Sequence, residues 1–420
     1  MTLFEDELFP ADAAARAAWS RRLRSELLGN VLPWWQRAIF DAQGRVLGAR
    51  DNHGALHDVP RSAVLGTRLL WTFASAEQRL GATPEGAAAA QHAWRWVTEA
   101  LTDARHGGVF WSVDAAGRPV ADHKQTYAQA FAVYALAACH GWQAGLSGRP
   151  THLATPALQQ ALALFDLIEA HTFDPVDGGC WEGCTRDWQP LADTRLSARE
   201  PEAPKTMNTH LHLLEALTEL LRHVPSGRIA ARLRELVELF LDRLWLPAQR
   251  CFGLFFTRDW RVLTPQVSWG HDIEAAWLLV RAAERLRDPR LLARTTDRAL
   301  EVADAVAERG VAADGSVLGE GDFDGRVTDA RRHWWCQAEA VVGFWDAWQR
   351  GGAVHHGRAA WRAWQFIERH HVDRRGGDWF KTLDASGRPD ATVFKAGPWE
   401  CPYHHVRAGL EMIERLEAAS

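Results

Sequence analysis

Long basic runs, long apolar runs and clustered cysteines are all missing from this chain, and each absence removes a class of protein. The 420 residues carry a formal net charge of −5 and no basic block. Nucleic acid and anionic membrane surfaces are therefore not expected as partners. No stretch approaches eighteen uninterrupted apolar residues, so no membrane span is expected. Residues 1–15 carry acids and lack an apolar core, so they do not read as a secretory leader, and a cytoplasmic location is expected. The six cysteines, Cys139, Cys180, Cys184, Cys251, Cys336 and Cys401, are scattered, and only Cys180 and Cys184 lie close together. That is neither a zinc pattern nor a disulfide framework, and reduced thiols are expected. No linker rich in proline, glycine or serine divides the chain, so it reads as one domain, residues 1–420.

What is present is ordinary in bulk, with 47% hydrophobic and 24% charged residues, except for 22 tryptophans. Many of these fall in loops or at helix starts: Trp111, Trp181, Trp188, Trp260, Trp269, Trp334, Trp335, Trp379 and Trp399. Flat aromatic faces at the mouth of a cavity suit the apolar C–H faces of sugars. Tryptophan is also a good core filler, so composition alone argues this weakly.

A turn-rich motif recurs every 60 to 75 residues, at 41–46, 107–119, 177–182, 250–256, 314–319 and 376–389. Each copy reads as a short hairpin with Gly and Asp in the turn. Segments of helical period lie between them, near 11–30, 61–80, 85–103, 122–144, 152–169, 205–223, 226–243, 270–287, 289–309, 332–350, 354–371 and 398–417. Six helical hairpins with one loop each suggest an all-α closed toroid, an (α/α)6 barrel. An open solenoid is the alternative. In a closed barrel the inner helices start on one face, and their N-termini converge on one funnel.

The chemistry-bearing residues sit at the starts of alternate helices. Arg68 lies in an apolar run, where a buried guanidinium is either a structural ion pair or a donor for oxyanions. Tyr127 opens the fourth helix as a hydroxyl donor or a core residue. In the sixth, Asn208 and His212 are four apart and share a face, while His210 points elsewhere. The eighth opens Ser268-Trp269-Gly270-His271-Asp272-Ile273-Glu274, with His271 and Glu274 on one face. A helix N-terminus keeps an imidazole neutral and basic, and Glu274 is placed to orient it. The pair could be half a metal site, but no third ligand with zinc spacing accompanies it. The tenth helix carries Trp334, Trp335 and Glu339, and the last begins near Trp399-Glu400-Cys401-Pro402-Tyr403-His404. Two histidines that meet in space can serve as acid and base on opposite faces of one carbon.

Together, 207–216, 270–275, 334–339 and 395–404 resemble the N-acylglucosamine 2-epimerase superfamily, most of all its cellobiose 2-epimerase branch. The resemblance runs from about Leu32 to the last helix. It implies an (α/α)6 barrel and epimerisation at C2 of a reducing sugar, without metal or cofactor. By that resemblance His271 and His404 are the two acid/base residues and Glu274 supports His271. Arg68, Asn208 and His212 hold the substrate and its enediolate, Trp335 and Trp399 stack on sugar, and Tyr127, Trp334 and Glu339 line the pocket. Two residues beside His404 depart from the branch: Glu400 stands where a basic residue is common, and His405 where Asn is. The expected partner is a small sugar, with the chain a monomer or dimer. Rival readings are aldose–ketose isomerisation through the same enediolate, glycoside hydrolysis by paired carboxylates, and a non-catalytic binding module.

Overall fold

The computed structural model describes residues 9–146, 155–198 and 200–418. Residues 1–8 of the N-terminal stretch and 152–154 of the expected fifth helix lie outside the described residues. Among those described, the helices are α1 (Ala13–Glu26), α2 (Leu32–Ala38), α3 (Ala63–Leu80), α4 (Pro84–Arg95), α5 (Thr126–Leu146), α6 (Pro156–His171), α7 (Met207–His223), α8 (Gly227–Leu239), α9 (Trp269–Leu286), α10 (Pro289–Arg309), α11 (Trp334–Gly351), α12 (Val354–Phe366) and α13 (Tyr403–Ala418). The odd helices α3 to α13 each pack on the next, and α13 packs back on α3. That contact closes the ring and sets the solenoid aside. The remaining long helices, α1, α4, α6, α8, α10 and α12, form the outer layer, each mainly against one inner helix, with α8 and α10 also touching the next one.

Burial explains the two kinds of helix. The inner α3 is buried at every position from Ala63 to Glu77 and the inner α5 almost throughout, so neither needs a polar face. The outer α10 buries Leu291, Thr295, Ala299, Val302 and Val306, a stripe at spacings of three and four. Helix starts follow local chemistry. Ser62, Thr83, Thr155, Thr206, Ser226 and Asp288 each accept a hydrogen bond from a first-turn N–H. Pro84, Pro156 and Pro289 occupy first positions, where no N–H is missed.

Each expected hairpin is present. The antiparallel pairings are Phe40 with Val46, Thr102 with Val109, Phe173 with Cys180, residues 245–246 with 251–252, Val311 with Val317, and Val372 with Trp379. A second ring of two- and three-residue strands lies over them. The segment leading into each inner helix pairs with the next repeat: 61–62 with 112–113, 124–125 with 183–184, 205–206 with 255–256, 266–268 with 320–322, and 332–333 with 382–383. The sixth joint pairs Ala396 with Arg50, near the start of the chain. These lead-in strands make several inner helices begin later than the sequence periodicity implies. Helix α13 starts at Tyr403 rather than 398, which leaves Pro398–Pro402 as a loop over the barrel mouth.

Candidate active site

The inner helices bring ten of the eleven singled-out residues to one cavity of about 270 Å³: Arg68, Tyr127, Asn208, His212, His271, Glu274, Trp334, Trp335, Trp399 and His404. Glu339 lies immediately behind. Its Oε1 is 2.8 Å from His404 Nδ1, and its Oε2 accepts from Trp277 Nε1 at 3.1 Å. A second cavity of about 340 Å³ adjoins the first and shares Asn208, His271, His333, Arg331 and Trp335 with it.

The two histidines reach this space from α9 and α13, the two inner helices that flank α11. The Trp335 ring lies 4.6 Å from the His271 ring and 5.7 Å from the His404 ring. His271 Nδ1 is 2.8 Å from Ser268 Oγ. With that oxygen accepting, Nδ1 carries the proton and Nε2 keeps its lone pair. Burial, then the charges of His212 and Arg68, push the His271 pKa down to about 3. Burial, then Arg68 and Arg407, hold His404 well below the usual histidine range. Both imidazoles are therefore neutral at physiological pH, which suits a proton acceptor.

Glu274 sits differently from its expected place beside His271. It hydrogen-bonds Arg407 Nη2 at 2.5 Å and lies 3.9 Å from His404. The cause is Arg407, one turn beyond His404 on α13, a buried guanidinium that gathers three carboxylates. It pairs with Glu215, Glu274 and Glu339, and it stacks over Trp277 and Tyr403. Tyr403 Oη donates to Glu215 at 2.5 Å, and His212 Nδ1 is 3.1 Å from the same carboxylate. Burial would raise the Glu215 pKa, but Arg407 and His212 bring it down to about 2. Glu274, raised by burial and by the charge of Glu339, stands at about 7. Glu339 is also raised, chiefly by burial. One cation thus serves three acids, and the two beside His404 are the ones that hold a proton most readily.

Glu274, Glu339 and His404 converge closely enough to be considered as metal ligands, a trio absent from the sequence reading. Arg407 Nη2 bonds to Oε1 of both glutamates. A guanidinium already fills the place a cation would take, and the residues do not fit a metal.

Arg68 takes no carboxylate among the described residues. It donates to Tyr127 Oη at 2.7 Å and lies over the Phe131 ring at 4.2 Å. The structural ion-pair reading of Arg68 therefore falls, and its charge is left facing the cavity. Buried Asn208 Oδ1 has no hydrogen-bond partner. His210 points away, as expected, and accepts from the backbone N–H of Cys180 through Nε2.

Sequence reasoning missed Arg407, Tyr403 and the role of Glu215. A signal existed: an arginine in a buried helix, one turn after the tyrosine and one after the histidine already in view. The loop tryptophans need a correction as well. Only Trp334, Trp335 and Trp399 of those singled out line the first cavity. Trp188 and Trp260 instead donate to the backbone carbonyls of His106 and Asp177 and lock neighbouring hairpins together.

A ring of six helical hairpins, with polar and aromatic residues gathered at the inner-helix starts, defines the (α/α)6-barrel class. A D-mannose isomerase structure shares that fold at 20% identity with a TM-score of 0.80. Residues 47–408 match the profile of the N-acylglucosamine 2-epimerase (GlcNAc 2-epimerase) family, and the chain belongs to that family. It is an isomerase of the epimerase type. A cellobiose 2-epimerase of Bacteroides fragilis is 36% identical over 94% of this chain and 98% of its own length. The solved cellobiose 2-epimerase of Bacillus thermoamylovorans is 33% identical, with a TM-score of 0.87 over 95% of this chain and 100% of that one. That of Spirochaeta thermophila is 36% identical, with a TM-score of 0.85 over 97% and 98%.

Proposed function

We propose that this chain interconverts glucose- and mannose-type reducing ends by moving the proton at C2, with His271 and His404 as the two acid/base residues. The observation that carries the proposal is a pair of neutral imidazoles that line one cavity on either side of the Trp335 ring, with Arg68 and Tyr127 lining the same cavity. In the open-chain sugar the C1 aldehyde acidifies the C2 proton. One imidazole takes that proton, and the electron pair passes to O1 as the cis-enediolate forms. Arg68 and neighbouring donors stabilise the oxyanion. Rotation about C2–C3 presents the other face, and the second imidazole returns a proton there. The proton His404 needs as an acid is at hand, because Glu339 and Glu274 lie 2.8 and 3.9 Å from its Nδ1 with raised pKa values.

Cellobiose-type disaccharides and free glucose or mannose share this reducing end. The adjoining cavity, continuous with the first through Trp335 and Asn208, supports a substrate longer than one ring. The relatives named as cellobiose 2-epimerases support the same choice. Hydrolysis by paired carboxylates is disfavoured because the three glutamates converge on Arg407 rather than across the cavity.

A two-base mechanism is tested with single variants and sugars deuterated at C2. His271→Ala should lose washout of the label from one epimer, and His404→Ala from the other. Washout from both epimers at wild-type rates in either folded variant would remove that histidine from the mechanism.

A further inference from the structure

Far from the barrel mouth, on the outer wall, two neighbouring outer helices share a cluster that the epimerase reading leaves unused. Asp304 lies on α10, and His355 and His356 lie in the first turn of α12. His355 Nε2 is 3.0 Å and His356 Nε2 is 2.9 Å from the same atom, Asp304 Oδ1. The two rings are 4.0 Å apart and tilted by 51°. Successive residues on a helix point about 100° apart, so two adjacent imidazoles aimed at one oxygen form an unusual convergence. One donor atom from each of the three residues falls within 4.8 Å of the others.

We propose that Asp304, His355 and His356 form a binding site for a transition-metal ion, Zn²⁺ by the chemistry of the donors, which staples α10 to α12. Two imidazole nitrogens and a carboxylate oxygen are the borderline donors that Zn²⁺ selects, and three protein ligands leave a fourth position for water. A tetrahedral ion with bonds of about 2.0–2.2 Å holds its ligand atoms roughly 3.3–3.5 Å apart. The present 2.9 and 3.0 Å separations need only a small swing of Asp304 to reach that spacing. Burial is graded to suit. His356 is 2% exposed and fixed by packing near Phe344, whereas the side chains of His355 and Asp304 are 60% and 43% exposed and open to an entering ion. The cluster is separate from the candidate active-site cavity, whose lining contains none of the three.

The test uses the full chain stripped with a chelator and titrated with Zn²⁺ by calorimetry, with thermal unfolding followed at each ion concentration. One ion per chain and a thermal midpoint that rises with free Zn²⁺ are expected. His355→Ala and Asp304→Asn, both at the surface, should bind at least about tenfold more weakly, since even an outer-shell partner is worth that much. Both should keep the metal-free midpoint and the turnover number of the wild type. Absence of saturable binding would overturn the proposal. So would binding of equal strength in both variants, which would place the ion elsewhere on the chain.

Discussion

Replacing either His271 or His404 with alanine should lower kcat by about a hundred- to ten-thousandfold, the range a positioned proton donor or acceptor supplies. Circular dichroism of the variants should match the wild type, because each ring faces the cavity. Wild-type turnover in a folded variant would contradict the assignment. Arg407 is a different kind of residue. Its loss in Arg407→Met would strand Glu215, Glu274 and Glu339 in the barrel floor. Breaking a buried ion pair from one side costs about 3–5 kcal/mol, and urea unfolding should register a loss of that size. Glu274 adds a dependence on pH. Its folded pKa of about 7 lies above the ordinary 4.5, so the folded state binds the extra proton between those values. Stability from this group is complete below pH 4.5 and is lost as pH rises towards 7. Glu274→Gln should remove that slope, which denaturation at pH 5 and pH 7 in both proteins would measure. An unchanged slope would show that Glu274 does not carry the proton.

At the scale of the element, much is legible in the sequence. The six hairpins and the twelve helical segments fall near where Gly/Asp turns and hydrophobic period put them, but the helix at Leu32–Ala38 was not expected and the last helix starts later than 398. The short lead-in strands were not legible, because two residues cannot display an alternation. The expected helices ran through the ends of α1, α4, α8 and α12, but their π-helical winding was hidden, at Leu27–Val31, Trp96–Leu101, Phe240–Leu244 and Ile367–His371. Repetition of a contact across chemically different residues was the hardest to see. Near the start of an inner helix, Gln129, His210, Asp272 and Gln337 each accept the backbone N–H of a hairpin residue: Val109, Cys180, Phe252 and Val317. A glutamine, a histidine and an aspartate do one job, so no sequence motif announces it. The same is true of two turns. Gly117 and Gly387 close theirs with positive φ, while Trp188 and Trp260 adopt φ of 64° and 66° at the corresponding place. A left-handed non-glycine residue costs about 1–2 kcal/mol, and here each indole N–H finds a carbonyl in the neighbouring loop. Gln129 also donates to the Val109 carbonyl. Gln129→Leu would leave both buried backbone groups unpaired, at about 1–3 kcal/mol each. A fall in the urea midpoint with kcat preserved is the expected result, and an unchanged midpoint would deny the clasp its role.

At the scale of the molecule, closure is what makes the site. His404 comes from the last helix, Arg68 from the first inner helix, and they face one cavity because α13 packs on α3 and Ala396 pairs with Arg50. The sequence reading reached this cavity because the motifs sit at helix starts and a closed ring gathers helix starts. It did not reach the floor beneath, because Arg407 and Glu215 are 192 residues apart and neither lies in a turn. Every inner helix leans on two others, so no repeat has a free end from which to fray, unlike an open solenoid. Tryptophan fluorescence and far-ultraviolet circular dichroism should therefore trace one coincident urea transition. Separate transitions would mean that part of the ring stands alone. The most direct test of the whole account is proton NMR of the purified protein in heavy water with cellobiose, glucose and mannose in parallel. The account predicts loss of the C2 proton signal and growth of the C2 epimer, fastest on the disaccharide. Accumulation of a ketose in place of the epimer, or no exchange with any of the three sugars, would contradict it.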